Sequence, residues 1–71
     1  MDLYRAEATR KHRGRASKWK GKWRPEMRRA VEQAKRWRTR EPFAHIEIVS
    51  TSGMRATLDE VLSAPSLRNF R

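Results

Sequence analysis

Between Arg10 and Arg24 the chain reads RKHRGRASKWKGKWR, and eight of these fifteen residues are Lys or Arg: Arg10, Lys11, Arg13, Arg15, Lys18, Lys20, Lys22 and Arg24. Cations at this density neutralise phosphates and release the counterions condensed on a nucleic acid, a chemistry that needs no base sequence. Trp19 and Trp23 are interleaved with them. Indole rings beside lysines suit stacking on unpaired bases. They equally suit folding back on a helix as anchors of a small core shared with Trp37, and basic Trp-rich stretches also suit a lipid interface. A second set of cations, Arg28, Arg29, Lys35, Arg36 and Arg38, follows at helical spacing, and the planar guanidinium of Arg fits phosphate and guanine edges. These fifteen residues are the candidate nucleic-acid-binding set.

No other constellation carries chemistry. His12 and His45 are 33 residues apart, and a metal site needs three or four ligands at suitable spacing. There is no Cys to attack a substrate, hold a metal or form a disulfide. Ser50, Thr51 and Ser52 have no evident base beside them. Glu47 lies two residues from His45 on one strand face, an arrangement common among solvated polar residues. No phosphate-binding glycine loop is present, nor a paired-Cys finger or an aromatic RNA-recognition signature. The chain therefore reads as a non-enzyme without cofactor or metal.

The elements that must position these cations follow from hydrophobic period. From Pro25 to Arg40, Met27, Ala30, Val31, Ala34 and Trp37 form one apolar stripe at helical spacing. Pro25 suits the first turn, Glu26 suits the positive end of the dipole and Arg36, Arg38 and Arg40 its negative end. Glu32 is spaced to bridge Arg28 and Arg36. Glu41-Pro42 ends the helix. In FAHIEIVS, residues 43–50, Ala44, Ile46 and Ile48 alternate with Phe43, His45, Glu47 and Val49, so the first set should face the helix. Thr51-Ser52-Gly53 is a turn, and Met54, Ala56 and Leu58 share a face of a second strand. Thr57 and Glu60 have capping-box spacing for a short helix from Leu58 to Ser63, stopped by Pro65. Leu67 and Phe70 are placed to cover the core edge.

Upstream, Met1 to Thr9 reads as the start of a short helix capped by Asp2. Gly14, Gly21 and like-charge repulsion predict a disordered arm after it. The expected organisation is a small α+β chain: a disordered or extended basic N-terminal arm over residues 1–24, then a minimal α-β-β-α domain over 25–71 with one basic amphipathic helix, a β-hairpin and a short C-terminal helix. Its expected core is Met27, Val31, Ala34, Trp37, Ile46, Ile48, Met54, Leu58, Val61 and Leu62. Two strands alone are barely stable, so the hairpin edge must be covered by helices, by a second copy or by a partner's sheet.

The 71 residues carry a formal net charge of +10. Fifteen Lys/Arg and four Asp/Glu fall in residues 1–40, against three and four in residues 41–71. The first half thus bears the affinity for polyanions. The expected function is a small basic nucleic-acid-binding protein, contacting mainly the phosphate backbone of RNA or DNA, as a component or accessory factor of a nucleoprotein complex. Stacking by Trp19 and Trp23 tilts that expectation toward RNA. About eight engaged cations predict a slope of log K against log salt near −7, at roughly −0.9 per contact. The alternative is a protein-interaction module or inhibitor, of the kind phages and mobile elements carry, docking on a nucleic-acid-processing machine through its helix and hairpin edge. With no apolar run of about 18 residues and no secretory leader pattern, a cytoplasmic or organellar-matrix location is expected and a membrane partner is not.

Overall fold

Tyr4, Ala6 and Ala8 alternate with Arg5, Glu7 and Thr9, and a period of two puts the first set on one side of a strand. In the computed structural model, which describes residues 1–63, this segment is strand β1 (Tyr4–His12), and Tyr4, Ala6 and Ala8 are buried. The helix expected over residues 1–9 is therefore corrected to a strand. The basic arm is corrected too: residues 15–20 form strand β2 (Arg15–Lys20), antiparallel to β1, from Glu7 opposite Lys20 to His12 opposite Arg15. Arg13 and Gly14 make the two-residue turn, at φ 51° and 79°. Positive φ at both positions is the type I′ geometry whose twist matches the flanking strands.

Helix α1 (Met27–Arg40) then crosses the sheet, and β3 (His45–Ser50), β4 (Arg55–Thr57) and α2 (Leu58–Ser63) complete the described chain. The sheet is antiparallel throughout, in the order β2-β1-β3-β4. This mixed α+β architecture agrees with the fold class read from the sequence. β1, the segment left out of the expected sheet, is one of its two central strands. It supplies the partner that two strands alone lacked.

The core lies between one sheet face and the helices. Met27, Ala30, Ala34 and Trp37 of α1 meet Tyr4, Ala6, Ala8, Ala44, Ile46 and Ile48, with Leu58 and Val61 of α2 closing one side. Ala6, Ala30 and Ala34 have no exposed surface. Small residues facing each other let the helix backbone approach β1 closely, so alanine here is a packing choice, with no room for extra methylenes. Val31, Met54 and Leu62 are partly buried against the same cluster. Burial of Ile48 and Leu58, the largest fully enclosed side chains, contributes about 1.5–3 kcal/mol each.

α1 begins at Met27, with Glu26 extended ahead of it. The Glu26 carboxylate pairs with Arg28 at 3.0 Å and Arg29 at 3.5 Å, so Arg28 is held by Glu26 and not by Glu32. At α2 the capping box forms as spaced: the Thr57 N–H donates to Glu60 Oε1 at 2.9 Å and the Glu60 N–H to Thr57 Oγ1 at 3.1 Å. The Thr57 backbone N–H, with a smaller contribution from the Thr57 side chain, holds the Glu60 carboxyl below its ordinary range. Gly53, at φ 99°, turns β3 into β4. Pro65, Leu67 and Phe70 lie outside the described residues.

Candidate nucleic-acid interface

The rows of the β1–β2 hairpin do not all belong to the sheet. Pairing between β1 and β3 ends at Thr9 opposite His45. The pairs Arg10–Ser17, Lys11–Ala16 and His12–Arg15 and the Arg13-Gly14 turn lie beyond it, and all of these residues are exposed. They form a two-stranded ribbon that projects from the domain, consistent with extents of 39 × 22 × 18 Å. Side-chain alternation puts Arg10, His12, Arg15 and Ser17 on the ribbon's helix side, Lys11, Ala16 and Lys18 on the other, and Arg13 at the tip. Between Glu7 and Glu26 the chain has no acidic residue, so nothing nearby in sequence neutralises the ribbon.

The candidate cations divide by their partners. Arg10 pairs with Glu41 at 2.7 Å, Arg28 and Arg29 with Glu26, and Arg38 with Asp59 at 3.0 Å. Arg24 exchanges backbone hydrogen bonds of 2.7 Å with Tyr4, and its Nε is buried with no hydrogen-bond partner among the described residues. Lys11, Arg13, Arg15, Lys18, Lys20, Lys22, Lys35 and Arg36, among the described residues, have no carboxylate within salt-bridge distance. Arg40, which sequence reasoning left out of the set, belongs with them. Its position in the last turn of a basic helix was the available signal.

Arg40 connects the helix to the ribbon. It lines a cleft of about 350 Å³ with Arg10, Ser17, Trp19, Trp37 and Glu41, and an adjoining groove with Gln33, Arg36, Trp37 and Thr39. Among the described residues that line the cleft and groove, Glu41 is the single carboxylate, and Arg10 already engages it. The surface from the ribbon's helix side to the C-terminal turn of α1 is thus positive, with indole edges below it.

Of the two tryptophans, Trp19 takes the core-anchor role that its sequence position also suited, and Trp23 stays at the surface. Trp19 faces the helix and meets Trp37 edge to face, ring centroids 5.9 Å apart, so it ties β2 to the core. From Lys20 to Arg24 the chain holds one residue more than the β1 register requires, since Glu7 faces Lys20 but Tyr4 bridges to Arg24. This bulge carries Trp23 to the opposite sheet face, where the Arg5 guanidinium sits over its ring at 4.2 Å. Gly21 remains on the helix side. A β-carbon there would overlap Gln33 Oε1, so the site requires glycine or a moved glutamine.

The open sheet face is charged but balanced. Glu7 and Glu47 are direct cross-strand neighbours, an arrangement that like charges disfavour. Arg55 bridges them, reaching Glu47 at 2.5 Å and Glu7 at 3.4 Å, and Arg5 adds a second contact to Glu7 at 2.9 Å. Burial pushes the Glu7 carboxyl up, but the hydrogen bond from Arg5 and the charges of Arg5, Arg55 and Lys20 outweigh it and hold the group below its ordinary value. The hydrogen bond and charge of Glu47 and the weaker influence of Glu7 hold Arg55 more firmly protonated. His45 lies 3.3 Å from Glu47 with its ring largely exposed.

Among the described residues no group of three or more His, Asp or Glu side chains is placed to hold a metal ion, and no helix is long and apolar enough to cross a membrane. No protein-family model, no curated protein and no solved structure matches the chain.

Proposed function

We propose that this chain is a non-catalytic nucleic-acid-binding protein, working without metal or cofactor, that grips phosphate backbone with the β1–β2 ribbon and the outer, C-terminal face of α1. One observation carries the reading. Among the described residues, Lys11, Arg13 and Arg15 of the ribbon and Lys35, Arg36 and Arg40 of α1 have no carboxylate partner, whereas Arg5 and Arg55 on the open sheet face are paired. Unpaired, solvated Lys and Arg on a projecting hairpin exchange condensed counterions for phosphates at little cost in stability. Packing of Trp19 against Trp37 removes one of the two stacking platforms that favoured single strands and RNA, and shifts the weight toward the backbone. Membership of a larger nucleoprotein complex remains part of this proposal.

The test is fluorescence anisotropy with labelled duplex DNA, duplex RNA and both single strands, titrated across salt. The expected result is a linear fall of log K with log salt, steepest on duplex. A slope near zero on every nucleic acid would contradict the proposal. A second reading, docking on a protein, rests on Phe43, which is 94% exposed beside the start of β3. Under that reading Phe43→Ala abolishes the interaction while nucleic-acid affinity is absent in both forms.

A further inference from the structure

Resting on that nucleic-acid reading, we propose that the projecting β1–β2 ribbon enters the major groove of duplex DNA. Arg36 and Arg40 of α1 then contact the phosphates of one flanking backbone. Dimensions support the fit. Three residue pairs extend past the last row joined to β3, a reach of about 10 Å at roughly 3.4 Å per residue, and the two strands stand about 4.8 Å apart. The B-form major groove is about 12 Å wide and about 8.5 Å deep and admits a two-stranded ribbon, whereas the minor groove is about 6 Å wide. The deep, narrow major groove of A-form RNA excludes it.

Charge has the matching distribution. A ribbon lying flat on one backbone needs cations on one face. This one carries Arg15 on one face, Lys11 on the other and Arg13 at the tip, with Arg10, held by Glu41, and Lys18 at its base. Cations on both faces serve a groove that has phosphates on both walls. The tip arginine reaches the floor, where guanine offers O6 and N7 acceptors. The type I′ turn keeps the tip two residues wide. Arg40, in the cleft with Arg10, extends the positive surface from the ribbon's base to the helix, where a groove wall would rise.

The experiment is dimethyl sulfate probing of a saturated duplex of about one helical turn, since the reagent methylates guanine N7 in the major groove and adenine N3 in the minor groove. The expected result is several-fold protection of N7 with N3 unchanged. The triple variant Lys11→Ala, Arg13→Ala, Arg15→Ala loses that protection while circular dichroism shows its fold intact, because all three side chains lie outside the core. Lys replacements at Arg13 and Arg15 retain most of the affinity. Binding with N3 protected, or with neither site protected, overturns groove entry and leaves backbone binding standing. Tighter binding to duplex RNA, with the same dependence on the ribbon, also overturns the groove assignment. Absence of binding to any nucleic acid overturns both proposals.

Discussion

The two hairpins of this sheet solve the problem of charge in opposite ways. In the β3–β4 half, Glu47 and Arg55 pair with each other, Glu47 with His45 of its own strand and Arg55 with Glu7 of β1, and the connection into α2 satisfies its own backbone through Thr57 and Glu60. In the β1–β2 half, the outer rows carry Arg and Lys on both faces and no carboxylate, and Trp19 is the large apolar side chain that fastens β2 to the helix. One hairpin is internally neutralised and built into the domain. The other is held at its base and left charged at its end. On the proposed function, the cations left unpaired in the first hairpin serve an outside anion.

The sharpest way to break this comparison is to remove its shared anchor. Trp37→Ala takes away the ring against which Trp19 packs and is expected to cost about 3–5 kcal/mol, unfolding much of so small a domain, as read by urea denaturation. Ala6→Leu forces extra methylenes into the close contact between β1 and α1 and should cost about 1–3 kcal/mol. Thr57→Ala removes the cap of α2 and should cost about 0.5–2 kcal/mol, confined to the neutralised half and visible as faster hydrogen exchange there. Acid sharpens the same contrast. Glu7 and Glu60 are held below their ordinary value of 4.5. Their stabilisation is complete above that value and is lost as pH falls through the lower folded values. Glu7→Gln should therefore flatten the fall of melting temperature below about pH 4.5. Alanine at Lys11, Arg13 and Arg15 should change stability least, within about 0.5 kcal/mol, while weakening nucleic-acid binding most.

Much of the neutralised half is legible in the sequence because its signals are redundant. Ile46 and Ile48 alternate with polar residues, Gly53 marks the turn, and Thr57 with Glu60 announces the cap. In α1 the stripe of Met27, Ala30, Ala34 and Trp37 is equally plain. The first hairpin is harder for a physical reason. Tyr4, Ala6 and Ala8 do alternate, but alanine favours helix intrinsically, and its burial here depends on a distant helix presenting Ala30 and Ala34. For β2, like-charge repulsion argues for disorder. What overcomes it is the pairing of Trp19 with Trp37, 18 positions away, together with an Arg13-Gly14 turn whose positive φ angles the type I′ geometry supplies. Of the candidate site, the residue types were readable. Their division into paired and unpaired cations was not, because Arg10 and Arg38 find Glu41 and Asp59 only across the folded structure.

The central claim is that the unpaired ribbon cations bind phosphate. Its most direct test is a pair of salt titrations on the same duplex DNA, one with the natural chain and one with the Lys11, Arg13 and Arg15 alanine variant. At roughly −0.9 per contact, the account expects the variant's slope of log K against log salt to be shallower by about 3, with the fold unchanged. Equal slopes in a folded variant would contradict it, and would return the ribbon to the status of a solubilising surface.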